Sequence, residues 1–263
     1  MSAYPILPSL KSENRKPYGC PLMEDIVVHL RRISLIPEKY PTRKYYPFNQ
    51  EILRKTRSLE FISPVTFFVG ENGSGKSTLL EAIAHMCHIH IWRDKERISY
   101  ENNPYEDLLY RFMEAEWTDG PVPGSFFSSE FFHHFAQNLD EWAVSDPGML
   151  DYFGGKSLNA QSHGQSLMAF FRSRYKIKGL YLLDEPETAL SPRSELMFVK
   201  LVKEISCQGH AQFIIATHSP ILLACPGAQI YSFDEIPAKE VPYEATEHYR
   251  IYKAFMENRE NYL

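Results

Sequence analysis

Apolar residues fall in short runs that end on polar groups, and these runs alternate with amphipathic stretches of helical period. Val65-Thr66-Phe67-Phe68-Val69 is a β-branched and aromatic run that predicts a buried strand, and it ends in a glycine-rich turn. A helix is expected from Ser77 to about Ile91, with Leu79, Leu80, Ile83, Ala84 and Cys87 on one face. The alternation resumes with helix 166–175, strand 179–183, helix 193–207, strand 212–216, helix 219–224 and strand 229–233. Strands and helices alternating at these lengths predict an α/β fold, with a mainly parallel sheet covered on both faces.

The remaining stretches are less regular. Residues 1–24 are rich in Pro and polar groups and read as an irregular arm, and 37–50 read as a surface connection. Ile26–Leu30 and Leu59–Ile62 are expected to be strands, giving an antiparallel β edge built from the N-terminal third. Residues 93–160 mix acids, Phe pairs, Pro and Gly, with helix-like pieces near 105–116 and 129–143, and are expected to form an inserted, mostly helical lobe. The last 30 residues look helical and charged. There is no internal repeat and no heptad run. The chain 1–263 is therefore expected to be a single domain: a β edge with the glycine-rich turn in 1–100, a small helical lobe in 101–160, and a second α/β half in 161–263.

Composition is that of an ordinary globular chain, with 44% hydrophobic and 23% charged residues among 263. A formal net charge of −5 removes the simplest argument for nucleic-acid binding, although a local basic patch is compatible with it. The cysteines Cys20, Cys87, Cys207 and Cys225 have no CxxC spacing, which speaks for reduced thiols rather than zinc or a disulfide framework. No apolar run is long enough to span a membrane, and the polar Ser12–Lys16 stretch breaks any signal-like run. A cytoplasmic protein without membrane insertion is expected.

Gly70-Glu71-Asn72-Gly73-Ser74-Gly75-Lys76-Ser77 fits G-x-x-x-x-G-K-[ST] at every fixed position, between a strand and a helix. Such a loop turns successive backbone N–H groups into one concavity that takes phosphate oxygens at a helix N-terminus. Lys76 is expected to reach the β- and γ-phosphates, the Ser77 hydroxyl to ligate Mg²⁺, and Thr78 to contact the α-phosphate region. Leu180–Leu183 is an apolar run followed by Asp184 and Glu185, which puts two acids at the carboxyl edge of the sheet. Asp184 is expected to hold Mg²⁺ and Glu185 to act as general base toward water. Phe213–Ala216 repeats the pattern with Thr217-His218-Ser219-Pro220, so His218 can hydrogen-bond a γ-phosphate, or else pack beneath a helix start capped by Ser219.

These segments together resemble the ABC-type ATPases, in the branch that includes RecF-, SMC- and OLD-type proteins and close to small bacterial ATPases of the AAA type. The resemblance rests on GENGSGKST, on the strand-DEPE-xx-LSP segment (Asp184–Pro192) and on the strand-ATHSP segment (Ala216–Pro220), and covers most of 60–235. It implies a P-loop ABC-ATPase-like sheet core, ATP as the nucleotide, and a homodimer that sandwiches ATP. Gln161-Ser162-His163-Gly164-Gln165 resembles the S-G-G-Q signature with His163 in place of the first Gly. The resemblance implies that Ser162, Gly164 and Gln165 bind the ATP held by a second subunit. It also makes Glu130, in the place of the usual glutamine, a Mg²⁺-proximal ligand or water holder, and Ala189–Pro192 a segment near the dimer interface. Only residues 131–161 separate Glu130 from Ser162, too few for the coiled-coil arm of SMC-type proteins.

Other signals stay open. His85, Cys87, His88 and His90 read as ordinary helix residues or as a metal site, as do His133 and His134. Arg172, Arg174, Lys176 and Lys178 read as favourable charges at a helix C-terminus or as a contact for DNA or another domain. Three settings compete for an ATP-closed clamp: a DNA-associated ATPase in repair or defence, a switch that docks a soluble protein effector, and the ATPase subunit of a transporter.

Overall fold

The computed structural model describes residues 28–91, 103–153, 155–159 and 163–263. Nine strands are found there: β1 (Leu30–Leu35), β2 (Ser58–Glu60), β3 (Val65–Val69), β4 (Met113–Trp117), β5 (Gly124–Ser128), β6 (Gly179–Asp184), β7 (Ala211–Ala216), β8 (Gln229–Ser232) and β9 (Lys239–Glu240). The helices are α1 (Glu51–Lys55), α2 (Lys76–Met86), α3 (Ser129–Ser145), α4 (His163–Arg174), α5 (Pro192–Ser206), α6 (Pro220–Leu223) and α7 (Glu247–Glu257). The strands form a three-stranded sheet in the order β2-β1-β4 and a six-stranded sheet in the order β5-β6-β7-β3-β8-β9. The small sheet is antiparallel, and the large one is parallel except for β9. This is the α/β architecture expected for a P-loop ATPase core.

Successive residues of the central strands feed two cores, as the period of a strand requires. Phe68, Leu180, Leu182, Ile214 and Ala216 face α2 and the small sheet, where Leu79, Leu80 and Ile83 meet Leu30, Ile33 and Leu59. Val65, Phe67, Val69, Leu183, Phe213 and Ile215 face the other way, against α3, α4 and α5. An aromatic ladder runs through that second core, from Phe171 to Tyr175 at 5.3 Å and from Tyr175 to Tyr181 at 4.5 Å between ring centroids. The side chain of Gln212, fully buried, joins the sheets: its Oε1 accepts the N–H groups of His29 and Leu30, and its Nε2 donates to the Leu30 carbonyl.

Several expected boundaries move. The first strand begins at Leu30 and runs to Leu35, rather than covering Ile26–Leu30. Its exposed Arg31 and Arg32 interrupt the apolar run, while Leu30, Ile33 and Leu35 carry the buried face. Helix α2 stops at Met86 instead of about Ile91, because His88 adopts a left-handed backbone (φ 56°) and the Ile89 N–H returns to the Ala84 carbonyl at 2.8 Å. The helix expected near 105–116 is a turn and a short 3₁₀ helix (Leu109–Phe112) leading into β4. Met113-Glu-Ala-Glu-Trp alternates with the period of a strand, and pairing with β1 prevails over the helical preference of its Glu and Ala. Beyond it, β5 joins the large sheet, so 101–160 contributes a strand to each sheet as well as the helix expected over 129–143, observed as Ser129–Ser145.

Parallel register sets up the site. Ser128 lies opposite Asp184, and Asp184 opposite Ala216, so the segments after β5, β6 and β7 leave the sheet at one edge. Strand β3 pairs with β7 and β8, which brings the glycine-rich turn to that same edge.

Candidate nucleotide site

The turn from β3 into α2 is held from both sides. Gly75 is the N-cap of α2 with φ 99°, and a Cβ there would lie 2.8 Å from Gln50 Oε1. Only glycine meets both conditions. Glu71 donates its backbone N–H to Asp234 Oδ1 at 2.7 Å, and Phe233 donates its own to the Val69 carbonyl at 2.7 Å. Glu71, Asn72 and Gly73 form the exposed crest of the loop, and Ser74 is half-buried.

Lys76 lies across the mouth of this turn. Its ammonium donates to the carbonyls of Gly70 and Glu71 at 2.6 and 2.9 Å, and to Ser74 Oγ at 3.4 Å. Burial lowers its pKa, while Glu185, Asp184, Asp234 and Glu71 pull it back up. Ser77, one residue on, donates its hydroxyl to Asp184 Oδ1 at 2.9 Å. The Thr78 hydroxyl sits 2.6 Å from that of Tyr46, whose carbonyl accepts from Asn103 Nδ2.

Burial pushes the Asp184 carboxyl up to about 7, the Ser77 hydrogen bond opposing and the Glu185 charge adding to the rise. A carboxylate and a hydroxyl oxygen side by side, in a place where burial penalises an uncompensated negative charge, fit a hard divalent cation such as Mg²⁺. Glu185 departs from the strand with φ 45° and ψ 54°, an uncommon backbone for a residue with a side chain. It is fixed there because its N–H donates to the Ala216 carbonyl, and its own carbonyl accepts the Ser129 and Thr188 hydroxyls, each at 2.9 Å.

His218 Nε2 comes within 3.3 Å of Glu185 Oε1. The His218 backbone N–H donates to Glu187 Oε1 at 2.6 Å, and its Nδ1 lies 3.1 Å from His248 Nε2 on α7. Burial first, and the Lys76 ammonium second, lower the His218 pKa, which favours the neutral ring. Ser219 does cap α6, accepting the N–H groups of Ile221 and Leu222. Its hydroxyl donates in turn to the buried Glu195 of α5.

The site thus gathers Gly70–Thr78, Asp184, Glu185 and His218. Ser162 lies outside the described residues. Gly164 and the exposed Gln165 stand in the first turn of α4, where a Cβ on Gly164 would meet Ser194 Oγ of α5 at 3.4 Å. Among the described residues no hydrogen bond or ion pair joins Gly164 or Gln165 to the gathered set. Glu130 follows Ser129 in the first turn of α3, at the sheet edge that carries Asp184, and its side chain lies outside the described set. Among the described residues no group of three or more His, Cys, Asp or Glu lies together as metal ligands would. His85 packs 5.6 Å from the Tyr110 ring, His88 and His90 are exposed, and the side chains of His133 and His134 lie outside the described set. Arg172, Arg174, Lys176 and Lys178 are all exposed, and Arg174 reaches the Gly124 carbonyl at 3.5 Å.

Sequence reasoning assigned no role to Tyr46, Glu187, Asp234 or His248. Asp234 was findable, since it follows β8 as Asp184 ends β6, a polar residue at the carboxyl edge of a buried strand. The others are tied to the site through long-range contacts, which no local pattern announces.

Two sequence families match the chain: one described as an AAA domain over residues 45–103, and one described as "AAA domain, putative AbiEii toxin, Type IV TA system" over 166–224. The thiamine import ATP-binding protein ThiQ of Ruegeria sp. is 25% identical over 58% of this chain and 69% of its own length. The manganese transport system ATP-binding protein MntA of Synechocystis sp. is 27% identical over 59% of this chain, and the match spans 64% of that protein. A solved structure of a putative metal-chelate type ABC transporter in an inward-facing conformation shares the fold, with a TM-score of 0.51 at 16% identity over 86% of this chain and 88% of that one. The SMC head domain from Thermotoga maritima gives a TM-score of 0.46 at 20% identity over 82% of this chain and 99% of that one. No helix among the described residues is long and apolar enough to cross a membrane. The G-x-x-x-x-G-K-S turn, the Ser77–Asp184 pair and Glu185, gathered at one sheet edge, are what the similarity to AAA-domain and ABC-type ATP-binding proteins leads one to expect, and together they support ATPase activity.

Proposed function

We propose that the chain hydrolyses ATP with Mg²⁺ at the ends of β3, β6 and β7, and that two copies close around ATP as a clamp coupled to an effector in DNA repair or defence. The observation that carries this reading is the meeting of Lys76, the Ser77–Asp184 oxygen pair, Glu185 and His218 at one sheet edge.

Each residue has a definite task in it. The backbone N–H groups of Gly70–Ser77 and the Lys76 ammonium bind the β- and γ-phosphates. Ser77 and Asp184 would hold Mg²⁺, Glu130 is the further ligand or water holder that the resemblance implies, and Thr78 stands near the α-phosphate. Bound Mg²⁺ neutralises phosphate charge. Glu185 orients a water and takes its proton as the water oxygen attacks the γ-phosphorus, the bond to the β–γ bridging oxygen breaks, and ADP leaves. His218 donates Nε2–H toward the γ-phosphate. The chemistry is mainly positioning and charge stabilisation, for which a rigid sheet edge is suited.

Closure as a homodimer assigns Ser162, Gly164 and Gln165 to the ATP of the partner, with the positive end of α4 aimed at it. The exposed position of Gln165 at the start of α4 supports this. The family description naming a toxin supports a setting in defence, as does the LSP and ATHSP resemblance. The similarity to ATP-binding proteins of thiamine import and manganese transport favours a transporter ATPase subunit as the second reading.

Turnover measured with and without Mg²⁺, in the presence of DNA ends over a range of salt, tests the proposal. Hydrolysis that requires Mg²⁺, is lost in Lys76→Ala, and is stimulated by DNA in a salt-sensitive way supports it. Hydrolysis indifferent to DNA, from a protein that co-purifies with a membrane partner, supports the transporter reading instead.

A further inference from the structure

The two imidazoles of His218 and His248 meet edge to edge, with Nδ1 and Nε2 at 3.1 Å, ring centroids 5.2 Å apart and planes inclined by 57°. Such a contact needs one N–H and one lone pair, and the surroundings decide which ring supplies which. On the far side of His218, Nε2 lies 3.3 Å from Glu185 Oε1, and a carboxylate offers only acceptors. Nε2 of His218 makes no hydrogen bond of its own, but a proton there faces the carboxylate favourably where a lone pair would be repelled, so the Glu185 charge favours Nε2–H and leaves Nδ1 as the lone pair of the neutral ring. His248 must then donate through Nε2–H. Its own Nδ1 is buried without a partner, which a lone pair tolerates better than an orphaned N–H does.

Helix α7 is placed to hold this donor still. Thr246 is buried and caps the helix two residues before His248, accepting the Tyr249 N–H and donating to the Tyr243 carbonyl. The Tyr243 hydroxyl donates at 2.9 Å to the carbonyl of Pro220, two residues past His218, and the Tyr243 and Tyr249 rings pack at 4.7 Å. The Tyr243–Pro220 bond and the His248–His218 contact thereby fasten the α7 segment to the stretch carrying His218 at two points.

We propose that His248 is a positioning residue that holds His218 in its Nε2–H tautomer, so that the C-terminal helix sets the turnover of a site to which it contributes no phosphate ligand. The proposal rests on the reading of His218 as the donor to the γ-phosphate. Without His248, the proton of His218 can move to Nδ1, which leaves a lone pair on Nε2 facing the Glu185 carboxylate and removes the donor from the site.

Long-range ¹H–¹⁵N correlation on the full chain, labelled at histidine, reads the tautomer directly. The native protein is expected to show His218 as Nε2–H, and His248→Ala a mixture of tautomers. In ATP turnover, His248→Ala is expected to lower kcat by about three- to tenfold, the equivalent of one hydrogen bond, with KM for ATP within about twofold. His248→Gln, whose amide keeps a donor, is expected to restore most of the rate. Should His248→Ala not fold, His248→Met and His248→Gln give the same comparison. An unchanged tautomer, an unchanged kcat, or a loss that Gln does not rescue overturns the proposal. His218→Ala separates the two layers. If it abolishes turnover while His248→Ala does nothing, only the role of His248 falls. If His218→Ala itself turns over normally, the γ-phosphate reading and this proposal fall together.

Discussion

Glu187 Oε1 accepts the backbone N–H of His218 at 2.6 Å, so the third acid of the DEPE segment fastens the loop after β6 to the loop after β7. Burial raises the Glu187 carboxyl, while the His218 N–H pulls it down. Replacing Glu187 with Ala strands a backbone donor and is predicted to cost about 1–3 kcal/mol of stability, several degrees in Tm, together with a fall in kcat. Glu187→Gln keeps an acceptor oxygen and is predicted to stay close to the native melting temperature. Thermal unfolding of the two variants side by side checks this.

Asp234 plays a similar part on the other flank of the phosphate loop, through its bond to the Glu71 N–H. It is exposed, so the bond is screened by solvent. Asp234→Ala is predicted to loosen the loop by about 1 kcal/mol, seen as a roughly fivefold rise in KM for ATP with kcat largely kept. An unchanged KM would remove Asp234 from the site.

Alkaline pH is predicted to weaken the fold. Burial pushes the Cys87 thiol up to about 12, the Cys225 thiol up to about 11 and the Tyr181 phenol up to about 12. Each is neutral in the folded chain at pH values where the unfolded chain has already lost the proton. Their contribution is intact below about pH 9 and is lost as pH rises from there through the folded values. The urea midpoint is therefore predicted to fall between pH 9 and 11. At pH 8, iodoacetamide is predicted to modify Cys87 and Cys225 far more slowly in the native protein than in the denatured one.

The phosphate loop was legible because its chemistry is local: glycine, lysine and serine at fixed spacing between a strand and a helix. Asp184, Glu185 and His218 were legible for a related reason, since a buried parallel strand that ends on a polar residue delivers that residue to the carboxyl edge of the sheet. Strand β1 was harder, because Arg31 and Arg32 sit in its middle and the apolar face appears only once Gln212 has tied its start to β7. Strand β4 was harder still, since Glu114 and Ala115 favour a helix until β1 supplies a pairing edge. Glu187 was in plain view within DEPE, yet its partner lies 31 residues away and is a backbone amide. His248 sits in a charged C-terminal stretch whose role is set entirely by what it packs against.

The central claim, that two copies close around ATP, is tested most directly by light scattering after size exclusion on Glu185→Gln, with and without Mg-ATP. This variant is predicted to bind ATP without cleaving it, to run as one 30.6 kDa chain without nucleotide, and to run at twice that mass with it. A single-chain mass with ATP demonstrably bound would contradict the clamp and leave the α4 N-terminus a structural turn.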